Sequence, residues 1–552
     1  MLSALLLLPL AACSSRDAAA PRADADATTS RSASRLVRGN GPEPDSLDPQ
    51  RARNVESANV LRDLYEGLTI VGRDGAPAPG VATAWSVSAD GLRWTFTLRP
   101  DARWSNGDPL TAHDFLWSWQ RALHPAMGNQ YAYMLYPLVN AEAFATGKLE
   151  DFSQVGVKAP DDHTLDVTLR NPTPYFIQLM DHYSSFAVHR PTIERFGSAT
   201  DRFTPWTRVE NIVGNGPFTL SEWKLNRRIV VKKNPHYWDA ERVKLNAVVF
   251  YPTENISSEE RMFRAGQLHY TQTIPLDKVP VYRAMDNSPY VNAPYLGTYF
   301  YLLNTQKPPL DDVRVRQALS LAIDRERLNR TVLHGMNVPA YGITPPGTLG
   351  YTPPKVFGHD IPRARALLAE AGYPDGRDWP GLELKYNTSE SHRKVAVALQ
   401  QMWKDALNIE VTLANQEWKV FLDSVDNMDF QVARRGWIGD YVDPNNFLDL
   451  FLCNGGNNNT GFCDPRYDAL IKECAPRATS REERFALFFE AETLLMQQMP
   501  IIPIYTYTSN HLIHSSVRGM PPNLMDAINL KYVWLDAAGD SDGHAGTHGE
   551  SR

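Results

Sequence analysis

The chain has 552 residues, a net charge of −7 and 43% hydrophobic residues. That length is too great for one hydrophobic core, so two or three lobes are expected. The modest charge and the lack of a basic stripe argue against nucleic acid as a partner, while 13 tryptophans and 23 tyrosines supply side chains that suit recognition surfaces as well as cores.

The first residues, MLSALLLLPLAAC, form an apolar run too short to span a bilayer. Leu10-Ala11-Ala12-Cys13 matches a bacterial lipobox, in which Cys13 is lipidated, although no Lys or Arg precedes the run. Residues 14–34 are small, polar and alanine-rich and read as a flexible tether. The tail from Gly539 to Arg552 has the same character, and its His544 and His548 are expected to be solvated rather than metal-bound. No other segment approaches about 18 consecutive apolar residues, so no transmembrane helix is predicted.

In chain order, Leu92–Leu98 alternates as a strand with Leu92, Trp94, Phe96 and Leu98 on one face, and Thr111 opens a helix that runs through Leu123. Leu165–Leu169 and Ile229–Val231 are further strands, and Ala247–Tyr251 has the continuous apolar character of a strand buried on both faces. Asp311-Asp312 caps a helix carrying Val315, Ala318, Leu319, Ala322 and Ile323. Arg363–Ala371 is a helix stopped by Gly372. Leu382–Tyr386 is a strand, and Ser391–Leu407 a helix with Val395, Leu399, Met402 and Ala406 inward. Ile409–Leu413 is a strand, Glu417–Asp423 a short helix and Phe430–Ala433 a third strand. This alternation argues for an α/β lobe.

Cys453 and Cys463 bracket NGGNNNTGF, a loop too polar and glycine-rich to hold its own shape; a disulfide there suits an exported chain. Zinc is the alternative, but no histidine stands nearby at ligand spacing. Cys474 is left over and is expected to be a buried thiol.

The stretch VARRGWIGDYVDP, Val432–Pro444, sets Arg434 and Asp440 on one short loop after a strand. By spacing alone these two make an internal ion pair beside a core tryptophan. Position argues otherwise: His392 opens the helix after one strand, Arg434 and Asp440 follow another, and open α/β sheets bind ligands beyond the carboxyl ends of their strands. A helix N-terminus there favours an anion. His392 and Arg434 suit a ligand carboxylate, and Asp440 a ligand ammonium.

Gly80-Val81-Ala82 through Trp85, WTFTLRPDARWSNGDPLTAHDFLWSWQRAL (Trp94–Leu123), Gly214–Phe218 with KKNPHYWD (Lys232–Asp239), and DDVRVRQALSLAIDRE (Asp311–Glu326) closely resemble the signature of extracellular solute-binding proteins of the peptide/nickel class. The resemblance runs from about residue 36 to 536. YNTSESHRK (Tyr386–Lys394), NQEWKVFLD (Asn415–Asp423) and ARRGWIGDY (Ala433–Tyr441) resemble most the oligopeptide-binding proteins of ABC importers.

That resemblance implies an α/β, two-lobed periplasmic-binding-protein-like fold with an extra subdomain and a ligand cleft between hinged lobes. It implies residues 35–66, 191–296 and 508–536 as one lobe, 67–190 as its extra subdomain and 297–507 as the other lobe. A short extended peptide would be held by its backbone, with its side chains in hydrated pockets. Asp440 would bind the α-ammonium, and Arg434 and His392 the carboxylates of peptides of different length. Gly436 and Trp437 would face the peptide backbone and a side-chain pocket, as would Asn387, Trp418 and Tyr507, with Tyr131 contributing from the subdomain. Trp418 and Tyr507 could equally be core aromatics, and Asn387 a helix cap. The chain departs from the pattern at Gly297 and Ile438, where a family cystine is missing, and at Leu333, which replaces a lysine. The Cys453/Cys463 loop resembles that of the dipeptide-binding branch.

The expected function is a monomeric, lipid-anchored receptor in the periplasm or at the cell surface, feeding short peptides to ABC permease subunits without cofactor or metal. A same-fold receptor for murein peptide, dipeptide, haem, nickel or glutathione is the alternative. Asp440 speaks against uncharged or metal-only ligands, since a buried carboxylate without a cation is costly. An enzyme is disfavoured by the absence of GxSxG and HExxH. An extracytoplasmic chaperone, binding unfolded segments in the family's open cleft, is a fourth class.

Overall fold

The computed structural model describes residues 34–73 and 75–536. Cys13, the tether up to residue 33 and the tail after residue 536 lie outside the described residues.

Two large hydrophobic cores, with a small third cluster of Ile274, Val279, Tyr282 and Leu512, organise the described residues. The first gathers residues from 36 to 250 together with Tyr441, Val517, Leu530, Val533 and Leu535. Two sheets feed it. One has the order Arg35–Gly39, Ala247–Tyr251, Arg228–Lys233, Phe218–Lys224, with the first pair parallel and the others antiparallel. Val248, Val249 and Phe250 are all fully buried, as their unbroken apolar run predicts. The other sheet is antiparallel, in the order Ala82–Val87, Arg93–Leu98, Thr164–Thr168, Val157–Asp161. Trp94, Phe96 and Leu98 alternate inward there while Arg93 and Thr97 face solvent. The helix Ala112–Leu123 starts with a Thr111/Asp114 capping box and buries Phe115 and Trp119 against this core.

The second core spans residues 276–505 around a six-stranded mixed sheet. Its order is Val338–Pro339, Ile501–Leu512, Tyr290–Leu303, Val432–Ile438, Leu382–Asn387, Val411–Gln416. Leu382–Asn387 runs parallel to both of its neighbours. Asp312 caps the helix Val313–Leu321, and Ser389 caps the helix Glu390–Leu407. In that long helix Val395, Leu399 and Ala406 face inward as expected. Trp403 is fully buried where Met402 was expected, because the buried stripe steps by four from Leu399; its indole donates to the Leu319 carbonyl at 2.9 Å.

Two long strands join the lobes. Tyr290–Leu303 and Ile501–Leu512 pair antiparallel from Tyr290 opposite Leu512 to Leu302 opposite Ile501. At the outer end Leu512 accepts from the Thr271 amide at 3.1 Å, and Tyr270 bridges both Ile513 and Arg38, so the ladder runs on into the first lobe. Midway, Tyr295, Leu296 and Gly297 stand against Tyr507 alone. Such a bulge bends and twists a strand pair.

Two further expectations are corrected. The strand expected over Phe430–Ala433 runs Val432–Ile438, so Arg434 lies inside it rather than on a loop. Pairing with Tyr290–Leu303, from Leu303 opposite Val432 to Gly297 opposite Ile438, extends the strand past its apolar run. Cys474 is exposed rather than buried, at the end of a π-helical turn, Leu470–Cys474, whose inner positions are Leu470 and Ile471. The 453–463 loop is not held by its cystine alone, because Asn458 Nδ2 donates to the carbonyls of Phe451, Leu452 and Phe462.

Cys453 and Cys463 are joined, with Cα atoms 4.6 Å apart. The double variant Cys453→Ser/Cys463→Ser is expected to lose about 2–3 kcal/mol in denaturant unfolding, as for a small covalent ring. A loss below about 0.5 kcal/mol would show that the Asn458 contacts suffice.

Candidate functional site

Two groups of polar side chains flank the strand Val432–Ile438. The first lies on its tyrosine-bearing face. Alternation puts Tyr299 and Tyr301 on one face of their strand, and Tyr505 and Tyr507 together on the neighbouring strand. Tyr299 stacks on Tyr505 at 4.6 Å, with Tyr301 and Tyr507 at its edges, 5.8 and 6.2 Å away. Arg434 enters this group from the third strand. Its guanidinium lies 4.7 Å over the Tyr299 ring and donates to Tyr507 Oη at 2.9 Å, while its buried Nε has no hydrogen-bond partner. Gly436 makes the approach possible, since a Cβ there would stand 2.5 Å from Tyr507 Oη.

His392, in the first turn of the helix Glu390–Leu407, closes this group from above, with Nδ1 3.5 Å from Tyr299 Oη. Burial, and then the Arg434 charge, hold its imidazole well below the ordinary range. It is a neutral hydrogen-bonding group beside a permanent cation.

The second group surrounds Asp440, just past the strand end. Gly439 donates to the Leu296 carbonyl, and a Cβ on it would meet Leu296 Cδ2 at 2.6 Å. The chain thus passes tightly against the bulged strand and delivers Asp440 towards the first lobe. Tyr133 Oη donates to Asp440 Oδ2 at 3.3 Å, and His182 Nε2 stands 3.6 Å from Oδ1. His182 Nδ1 accepts from the Ser184 amide at 3.3 Å and sits 2.7 Å from its hydroxyl, which leaves the proton on the Nε2 that faces Asp440. Tyr131 packs on His182 at 4.8 Å. Burial, and then the Asp440 charge, push the Tyr131 phenol up, so it stays protonated.

Arg434 and Asp440 therefore do not form the internal ion pair that their spacing alone favours. Each turns to a different set of partners. The remaining expected residues are spread more widely. Trp437 donates to Asn446 Oδ1 at 2.8 Å. Trp418 is 38% exposed on the first turn of the helix Trp418–Asp426, and so is not a core aromatic. Asn387 ends its strand opposite Gln416, and the buried amide oxygens of both have no partner. Asn387 is not the helix cap, since Ser389 takes that role. Leu333 is 2% exposed in the second core. Tyr133, His182 and Tyr299 were not anticipated. The alternations Tyr131-Ala-Tyr133, Tyr299-Phe-Tyr301 and Tyr505-Thr-Tyr507 were the available signal.

Residues 76–459 match the family of bacterial extracellular solute-binding proteins, family 5. The periplasmic oligopeptide-binding protein OppA of Escherichia coli K12 is 40% identical over 494 residues, covering 88% of this chain and 89% of its own. The chain belongs to family 5 of the bacterial extracellular solute-binding proteins. Among solved structures, the E. coli murein tripeptide-binding protein MppA superposes on this family 5 protein with a TM-score of 0.85 at 38% identity, over 91% of this chain and 98% of that one. Haemophilus influenzae OppA in complex with RPPGFSPFR gives 0.83 at 34% identity, over 91% and 99%. The unliganded open form of MppA gives 0.68, again at 38% identity, over 91% and 97%. Identity and coverage barely differ between the two MppA structures, so the lower score reports a different disposition of parts. These neighbours share the two-lobed architecture of this family 5 protein.

Asp449 sets the charge balance behind the Asp440 segment. Burial pushes its carboxyl up to about 8, with Asp440 and Asp443 adding to the shift, although Tyr441 donates to it at 3.3 Å. An unfolded aspartate ionises near pH 4. Between about pH 4 and 8 the unfolded chain therefore loses a proton that the folded chain keeps, and stability falls as pH rises through that window. Asp449→Asn is expected to stabilise the protein by on the order of 2 kcal/mol at pH 8, and by little at pH 4. Melting curves at both pH values check this, and equal effects at both would refute it.

Proposed function

We propose that this protein is the peptide receptor of an ABC importer, capturing short peptides between its lobes and delivering them to a membrane permease. One observation carries the reading. Asp440 is a carboxylate with a side chain only 13% exposed, set where the two lobes meet, and its partners are a phenol and an imidazole rather than a Lys or Arg. A carboxylate so placed favours a ligand that brings its own cation. A second group, Arg434 on the preceding strand with His392 in the first turn of a helix, suits an anion. A zwitterion with separated charges, as in a short peptide, satisfies both. The relatives named as oligopeptide-binding and murein peptide-binding proteins support this.

In this reading Asp440 takes the α-ammonium, and Arg434 and His392 take carboxylates of peptides of different length. Gly436 and Trp437 face the peptide backbone and a side-chain pocket. Asn387, Trp418, Tyr507 and Tyr131 complete the pockets. The unpaired oxygen of Asn387 and the exposure of Trp418 support places for both beside ligand. The two lobes comprise residues 35–66, 191–296 and 508–536 with the subdomain 67–190, and residues 297–507. The protein is a monomer tethered through lipidated Cys13. A peptide touching both lobes favours the closed arrangement by its differential affinity for it.

Asp440→Asn is expected to weaken tripeptide binding by about 2 kcal/mol or more, as loss of a desolvated charge partner does. Acetylating the peptide amine should weaken binding to the native protein comparably and add little to the variant. Isothermal titration calorimetry checks both. A change below about 0.5 kcal/mol in either would make Asp440 a structural residue.

A further inference from the structure

The segment 440–446 passes from one core to the other. Tyr441 is 3% exposed and packs in the first core, whereas Phe447 and Leu448, a few residues on, pack in the second. The Tyr441 ring stacks on Tyr175 with centroids 4.4 Å apart and planes within 11°. Tyr175 stands at the start of Phe176–Leu179, whose Phe176 and Leu179 are buried in the first core. Two hydrogen bonds flank the stack. The Val442 amide donates to Gln178 Oε1 at 2.7 Å, and Asn445 Nδ2 donates to Tyr175 Oη at 3.2 Å.

On its own lobe the segment is firmly fastened. Arg484 donates to both oxygens of Asp443 at 2.7 and 2.8 Å, and Asp443 is 1% exposed. A bidentate pair of this kind fixes geometry as well as adding energy. The segment is thus anchored on one lobe and presents a flat aromatic ring and a backbone donor to the other. None of these contacts uses a residue assigned above to the ligand.

We propose that Tyr441 and Tyr175, with Gln178, form an interlobe latch that sets the closed fraction of the protein before peptide arrives and so scales the affinity of every peptide by one factor. The affinity half rests on the peptide reading above; the closure half does not. An aromatic stack with two hydrogen bonds shifts a two-state equilibrium by about tenfold or more. When the binding-competent state is a minor fraction, apparent affinity follows that fraction directly.

The test uses spin labels on cysteines placed at Lys148 and Lys419, exposed residues of the first and second lobes, in a Cys474→Ser background. Distances are read by pulsed electron resonance in ligand-free protein, and circular dichroism confirms folding. Tyr175→Ala is expected to lower the closed-to-open ratio about tenfold, while Tyr175→Phe, which keeps the stack and loses only the Asn445 hydrogen bond, falls between the native protein and Tyr175→Ala. Gln178→Ala provides a second, milder lesion with a shift in the same direction. Calorimetry with a tripeptide and a tetrapeptide should then show affinity reduced by the same factor for both. Unchanged distances in Tyr175→Ala and Gln178→Ala would overturn the latch. A loss confined to one peptide length would overturn the uniform scaling. If the native protein bound neither peptide, the peptide reading and the affinity half would fall, and the distances would still decide the latch.

Discussion

The pairing of Val432–Ile438 with Tyr290–Leu303 is the constraint on which the rest depends. Tyr290–Leu303 is one of two strands that run from one lobe into the other, and it carries the three-against-one bulge at Tyr295–Gly297. Pairing along it, from Leu303 opposite Val432 to Gly297 opposite Ile438, brings the neighbouring strand up to that bulge before it ends. Arg434 then falls opposite Tyr301, inside the sheet, and Gly436 falls opposite Tyr299, where a bare Cα lets Tyr507 come close. Asp440 emerges beside Leu296, at the junction of the lobes. A slip of one residue would turn Arg434 to the other face and move Asp440 away from Tyr133 and His182.

That junction concentrates negative charge, and the structure manages each acid differently. Asp443 is neutralised by the buried bidentate Arg484. Asp449 keeps its proton up to about 8 because burial disfavours its charge, with Asp440 and Asp443 adding to the shift. Asp440 receives hydrogen bonding but no side-chain Lys or Arg among the described residues. Three aspartates within ten positions thus stand in three settings: one paired with Arg484, one holding its proton, and one facing a phenol and an imidazole. In the proposed reading the third is the one left for a cation that the ligand brings. The arrangement also protects the latch. A charged Asp449 would compete more strongly for Asn445 Nδ2, the donor that reaches Tyr175 Oη.

Local chemistry was legible in the chain wherever it is local in space. The alternation of Trp94, Phe96 and Leu98, the caps at Thr111 and Asp312, and the Cys453/Cys463 pair each follow from a few neighbouring residues. The strand end at Ile438 did not, because Arg434, Arg435 and Gly436 lack apolar alternation and are held by a strand more than a hundred positions earlier. Nor did the partners of Asp440, since Tyr133 lies 307 positions away. The Arg434–Asp440 ion pair that spacing alone would favour is absent for a related reason. Six positions along a strand and its turn separate the two charges far more than six positions on a helix would. The exposure of Cys474 depends on a π-turn, which shifts the helix face by a fraction of a turn and which composition does not encode.

The same separation bears on what the proposed site can select. Extended chain rises by about 3.3 Å per residue, so Arg434 and Asp440 stand at most about 20 Å apart along their own backbone. An extended peptide spans its two charged ends at the same rise per residue. Arg434 has a long side chain and Asp440 a short one, so the reach between charges is adjustable mainly at the carboxylate end. An ammonium held at the junction and a carboxylate met at varying depth would let several lengths bind with one end in common. His392, neutral beside Arg434, then adds a donor without adding a second fixed charge, which spares shorter peptides the cost of leaving a buried cation pair unmet. Length tolerance in this reading arises from asymmetry between the two groups. The ammonium end is shared between lobes and tied to the segment that carries Tyr441, whereas the carboxylate end lies within one lobe. In this reading closure and amine recognition depend on the same stretch of chain, and carboxylate recognition does not.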